Sequence, residues 1–261
     1  MSQTRRLAAA VIAAAIASVI TVSAAAAAPL APSERCAVAA PAVAYPPLPH
    51  VARLVTEGKE VRIVALGSSS TSGTGASSAA ATYPAQLAGL LAAGRPAVSV
   101  HMVNSGIGGE TVAMNMARLQ RDVLDHDPDL VIWQLATNDV FRKVPRDTYM
   151  DQARDGIRRM QAAGADMVLM EPQYVPTRAS DAAYVESVAA VRALGAEFKL
   201  PVITRFDFMK VWLDDGRFTV EDMLSADGLH MTDASYRCLA ELVAGVIAPP
   251  AVTAAKAAAG G

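Results

Sequence analysis

The sequence predicts an α/β fold of three layers, with helices on both faces of a five-stranded parallel sheet. Short, almost continuously apolar runs rich in β-branched residues alternate with stretches of helical spacing. The apolar runs end in glycine-rich or polar segments, as at 67–75 and 104–111, which suit strand-to-helix turns along one edge of such a sheet.

The elements follow in order. Residues 61–66 form the first strand and stop at Gly67. Residues 84–93 have helical spacing, with Leu87, Leu90 and Leu91 on one face and Gly94 as the stop. A second strand is expected over 98–103. A helix over 111–124 carries Met114, Leu119 and Val123 at partly periodic positions. The third strand, 129–135, is apolar throughout, as burial on both faces requires. Then come a helix over 148–163 closed by Gly164, a strand over 167–170, a helix over 182–198, a short strand over 201–204 and a last helix over 234–247.

The flanks read differently. Arg5 and Arg6 precede an apolar stretch, 7–22, and small residues from Val22 through Ser23 and Ala24 to Ala28 offer cleavage sites. This pattern predicts an export signal over 1–28 and hence a periplasmic or secreted protein. An uncut membrane anchor is the alternative, but the stretch is short for a span and lacks a charged stop. No stable membrane insertion is expected after cleavage. Residues 29–55 are rich in Ala and Pro and predict an extended arm; 56–248 form the folded domain; 249–261 are a low-complexity Ala/Gly tail. The two cysteines are Cys36 in the arm and Cys238 in the last helix. In an oxidising compartment they can pair and staple the arm to the domain.

Composition excludes some functions. The net charge of -2 and the 5% aromatic content give no basic surface or stacking platform for nucleic acid. Of the histidines, His50 lies in the arm and His101 within a strand. His126 stands among Asp125, Asp127 and Asp129, a set a metal could use, but on the amino side of its strand. No metal site is expected there.

Chemistry concentrates after the strands. The segment Gly67-Ser68-Ser69-Ser70-Thr71-Ser72-Gly73-Thr74-Gly75 can present a hydroxyl at the sheet edge. It lacks the lysine of a phosphate loop and the third glycine of a dinucleotide fingerprint, and Thr71 stands where a nucleophile elbow has glycine. A plain Ser/Gly loop remains an alternative reading. In Asn104-Ser105-Gly106-Ile107-Gly108-Gly109-Glu110-Thr111, the glycines leave backbone N–H groups uncovered close to a helix start, which suits an oxyanion donor. In Thr137-Asn138-Asp139, the asparagine can donate into the same space or cap the next helix. In Asp227-Gly228-Leu229-His230, the spacing puts a carboxylate beside an imidazole, as a Ser-His-Asp triad needs.

In this order, from Val61 to His230, these segments resemble the SGNH hydrolase superfamily of GDSL-type esterases and lipases, named for a Ser, Gly, Asn and His in separate blocks. The resemblance implies a flavodoxin-like strand order. It also implies catalytic residues Ser69, Asp227 and His230, and an oxyanion hole of the Ser69 and Gly109 backbone N–H groups with the Asn138 amide. The first block of that family reads Gly-Asp-Ser; here Ser68 replaces the aspartate, and serines flank Ser69 on both sides. The implied activity is hydrolysis of short-chain carboxylic esters, free or glycan-borne, through an acyl-enzyme, with no cofactor. A polysaccharide O-acetyltransferase or deacetylase and a non-catalytic glycan-binding domain are the alternatives. Glu171-Pro172-Gln173-Tyr174 and the stretch 206–222 are expected to border the pocket, with Trp212 read as core packing. No long apolar lid is visible, which favours short acyl chains.

Overall fold

A computed structural model describes residues 32–38, 45–94 and 98–247. The expected leader 1–28 and tail 249–261 lie outside the described residues. Five parallel strands, β1 (Val61–Gly67), β2 (Val100–Gly106), β3 (Leu130–Gln134), β4 (Asp166–Met170) and β5 (Val202–Ile203), pair in the order β2-β1-β3-β4-β5. This is the expected flavodoxin-like order. After β1 the chain moves to one side for β2, then returns across β1 to β3. The crossovers diverge there, opening a crevice beyond the carboxyl ends of β1 and β3.

Side-chain alternation divides each strand between two cores. Ile63, Ala65, Leu130, Ile132, Val168 and Met170 pack on one face. They meet helices α1 (Pro49–Thr56), α3 (Tyr83–Gly94), α9 (Arg205–Asp214) and α11 (Asp233–Ile247). Val64, Leu66, Val131, Trp133, Met167 and Leu169 face the other way. They meet α4 (Val112–Ala117), α5 (Leu119–Asp122), α7 (Arg146–Ala162) and α8 (Ala182–Phe198). Each fully buried Val, Leu or Ile contributes about 1.5–3 kcal/mol, so both sheet faces must be covered. The remaining short helices are α2 (Ser69–Ser72), α6 (Thr137–Phe141) and α10 (Val220–Met223).

Three elements depart from the expectation. The end of the predicted extended arm is the helix α1. Pro49 suits its first turn, and Val51 and Leu54 are buried against β1 and β4. Asp166 accepts the Val51 N–H at 2.9 Å, and Asp129 meets His50 Nε2 at 2.8 Å. The acidic residues at the amino ends of β3 and β4 thus anchor α1, and among the described residues no His/Cys/Asp/Glu group could hold a metal. The predicted helix 111–124 is split at Arg118, whose backbone leaves helical geometry while its guanidinium turns inward. Arg118 Nη2 donates to Ser105 O at 2.8 Å and Gly67 O at 3.3 Å, and Nε to Glu110 at 2.7 Å. The segment after β5 holds α9, whose Phe208, Met209 and Trp212 are buried at helical spacing.

Cys36 and Cys238 form a disulfide across a sequence separation of 202 residues. A loop that long is worth about 5 kcal/mol in the loop-entropy account. Around it, Trp212 Nε1 donates to Cys36 O at 3.1 Å and the Arg35 guanidinium lies 4.1 Å over the Phe218 ring.

Candidate active site

The predicted residues lie on the segments that follow β1, β2 and β3 and on the loop that leads into α11. Ser69 is the first residue of α2, so its N–H has no carbonyl one turn behind it. Its neighbours are closed off: Ser68 is 4% exposed and Ser70 2% exposed, while Ser69 is half-buried. The Ser68 N–H and hydroxyl both donate to Gln134 Oε1, each at 2.9 Å. Ser68 therefore ties the serine turn to the end of β3.

The 104–111 loop crosses directly in front of this turn. Ile107 N donates to Gly67 O at 3.2 Å. A Cβ added at Gly106 would sit 2.1 Å from Ser72 N, and one at Gly108 would sit 4.0 Å from the Ser69 Cβ. Glycine at 106 is thus a condition for the two loops to touch. Gly109 has φ +77°, and its carbonyl accepts Arg142 Nη2 at 3.0 Å.

Asn138 enters from the start of α6. Its amide donates one N–H to Glu110 O at 2.9 Å, which leaves the second for a ligand. The turn before it runs through Ala136 at φ +76°, a left-handed conformation costing about 1 kcal/mol for a residue with a Cβ. The next residue, Asp139, is 1% exposed and accepts the Val112 N–H at 3.1 Å. It thus takes the first N–H of α4, beside Thr111, whose side chain caps that helix by accepting from Met114 N, while Asn138 is half-buried. Burial pushes the Asp139 carboxyl up to about 6, against the opposing effect of the Val112 N–H, its own N–H and Arg142.

The last pair lies on a tight loop before α11, closed by Ser225 N donating to His230 O at 2.7 Å. His230 Nδ1 meets Asp227 Oδ2 at 2.5 Å. Asp227 Oδ1 accepts His230 N and Leu229 N at 2.9 Å and the Ser225 hydroxyl at 2.8 Å. Partial burial raises the Asp227 carboxyl. The bonds from His230, Leu229 and Ser225 outweigh it and hold the group well below the usual carboxylate range. A Cβ added at Gly75 would lie 3.1 Å from the His230 Cβ, so this loop packs against the far end of the serine segment. Ser69 and His230 share no hydrogen bond, whereas His230 and Asp227 are engaged.

The expected pocket wall at 171–174 is corrected in part. Glu171 and Gln173 are 0% and 1% exposed and lie beneath the site rather than on its wall, while Tyr174 is half-buried. Glu171 is drawn in by Arg192 at 2.7 Å and the Phe206 N–H at 3.0 Å. Trp212 is core, its ring tilted 31° to that of Phe218 with ring centres 5.4 Å apart. Sequence reasoning missed Gln134, Arg118 and Arg205; for the arginines, the available signal was a lone cation at an inward helical position.

Comparison with known proteins agrees with this architecture. A family profile described as the Non-GDSL lipase-like family matches residues 35–252. An acetylxylan esterase of Geobacillus stearothermophilus is 31% identical over 109 residues, 38% of this chain and 50% of that protein, so the chain spans half its length. The structure of a variant of an acetyl-xylooligosaccharide esterase from Geobacillus stearothermophilus superposes with TM-score 0.63 at 25% identity, covering 72% of this chain and 94% of that one. A two-domain esterase active on acetylated mannans superposes with TM-score 0.65 at 21% identity, covering 77% of this chain and 52% of that one.

Proposed function

The chain belongs to the Non-GDSL lipase-like family, within the SGNH hydrolase superfamily, and from that premise we propose that it is an exported serine esterase acting on short-chain carboxylic esters. One observation carries the site assignment. Of the three adjacent serines only Ser69 is partly exposed, Ser68 and Ser70 being 4% and 2% exposed, which supports Ser69 as the nucleophile.

In this reading the Ser69 hydroxyl attacks the ester carbonyl as His230 Nε2 takes its proton. Asp227 holds the imidazole through Nδ1 and stabilises its charged form. The oxyanion is met by the N–H groups of Ser69 and Gly109 and the free N–H of Asn138. Collapse expels the alcohol, which receives the proton from His230. Water, activated by His230, then releases the acid and restores Ser69.

Acetyl is the acyl group best supported, and a sugar hydroxyl the alcohol. The similar proteins include an esterase of acetylated xylan and its oligosaccharides and an esterase active on acetylated mannans, and the described residues hold no long apolar lid. Export is supported by the composition of 1–28 and by the Cys36–Cys238 disulfide, a bond that persists in oxidising compartments. The test is acetate release from acetylated xylan and mannan oligosaccharides beside a p-nitrophenyl ester chain-length series. Fastest turnover on acetyl esters supports the reading; preference for long acyl chains contradicts it.

A further inference from the structure

Arg205 is 1% exposed, and among the described residues it has no carboxylate partner. Burying a guanidinium without a counter-charge is costly, and burial pushes its pKa down. Its hydrogen bonds show what it holds. Nε donates to Glu171 O at 2.8 Å and Nη2 to Gln173 Oε1 at 2.9 Å. Gln173 is itself 1% exposed, and its carbonyl accepts the Tyr184 hydroxyl at 2.7 Å. The other end of its amide, Nε2, donates to Leu229 O at 3.3 Å.

The orientation of that amide is fixed by chemistry. Arginine only donates, so Oε1 must face Arg205; a backbone carbonyl only accepts, so Nε2 must face Leu229. Leu229 is the residue before His230, and the N–H of the peptide that joins them, that of His230, donates to Asp227 Oδ1 at 2.9 Å. The peptide that carries the imidazole is therefore gripped from both sides, by Asp227 on its surface and by Gln173 from the sheet. We propose that Gln173, braced by Arg205, is a positioning residue that fixes His230 relative to Ser69. Neither side chain touches substrate. The pair acts through the Leu229 carbonyl, and the proposal rests on His230 being the base.

Gln173→Glu separates positioning from folding. The carboxylate keeps an acceptor for Arg205, gains a counter-charge for it, and turns the donor to Leu229 O into an acceptor that repels it. With enzyme concentration set by fluorophosphonate titration, kcat on p-nitrophenyl acetate is expected to fall at least tenfold, with KM within twofold and thermal stability equal or higher. A kcat within twofold of the parent overturns the proposal, as does a loss confined to KM. If Gln173→Glu does not fold, Gln173→Met, of similar length and without polar atoms, is read by the same kcat criterion. Ser69→Ala assayed in parallel keeps the two levels apart. An active Ser69→Ala protein overturns the site itself, whereas an inactive one beside a fully active Gln173→Glu protein overturns only the positioning role.

Discussion

The carboxylate of Asp227 divides its two oxygens between different tasks: Oδ2 meets His230 Nδ1 at 2.5 Å, while Oδ1 collects two backbone N–H groups and the Ser225 hydroxyl. The side chain cannot rotate without breaking the loop that carries it. An asparagine at this position must put its oxygen where Oδ1 lies, because every partner there is a donor. Its NH2 would then face His230 Nδ1 and force the ring proton onto Nε2, the nitrogen that must accept from Ser69. Asp227→Asn is therefore expected to lower kcat by about a thousandfold or more with little change in fold. Parent-like kcat at neutral pH in a folded Asp227→Asn protein would contradict the assigned tautomer.

Asn138 offers its oxyanion N–H while its other N–H is held by Glu110 O. Asn138→Ala should lower kcat by roughly a hundred- to a thousandfold, about 3–4 kcal/mol of transition-state stabilisation, and leave KM for p-nitrophenyl acetate nearly unchanged. Steady-state kinetics checks the split; a change in KM alone would place Asn138 in ground-state binding instead.

The neighbouring Asp139 gives a stability signature that does not involve catalysis. Its folded pKa, raised by burial from 3.8 to about 6, means the folded protein holds this proton more tightly than the unfolded chain. Between those values the folded state binds more protons, so stability from this group falls as pH rises. The penalty is absent below the unfolded value and complete above the folded one, where it reaches roughly 2–3 kcal/mol. Asp139→Asn, which can still accept from Val112, should gain on the parent steadily as pH rises from 4 to 7. Urea denaturation across that range measures it, and parallel profiles would contradict the raised pKa.

The layers and the individual strands and helices were legible in the sequence because each rests on a local pattern, whereas the strand order was implied by the resemblance of the four site segments to a known family. Apolar periodicity marks the strands, glycines mark the turns, and the Asp227–His230 spacing lies within one loop. What was not legible depends on contacts between distant segments. The split of helix 111–124 follows from Arg118 reaching Gly67 and Ser105, and no periodicity encodes that reach. Glu171 and Gln173 sit under the site because Arg192 and Arg205, from two later helices, draw them inward. The substitution at Ser68 is explained only by Gln134, which accepts both of its donors from across the sheet. Helix α1 was hidden by the prolines around it; its anchors, Asp129 and Asp166, are far along the chain.

The central claim is that Ser69, and neither of its neighbours, is the nucleophile. Ser68→Ala, Ser69→Ala and Ser70→Ala, each purified folded and assayed on p-nitrophenyl acetate with fluorophosphonate labelling, test it directly. Loss of labelling and of at least a thousandfold in kcat is predicted for Ser69→Ala alone, with the label mapped to Ser69 in the parent and in the other variants. Retained labelling and turnover in Ser69→Ala, or a label mapped to Ser68 or Ser70, would contradict the account.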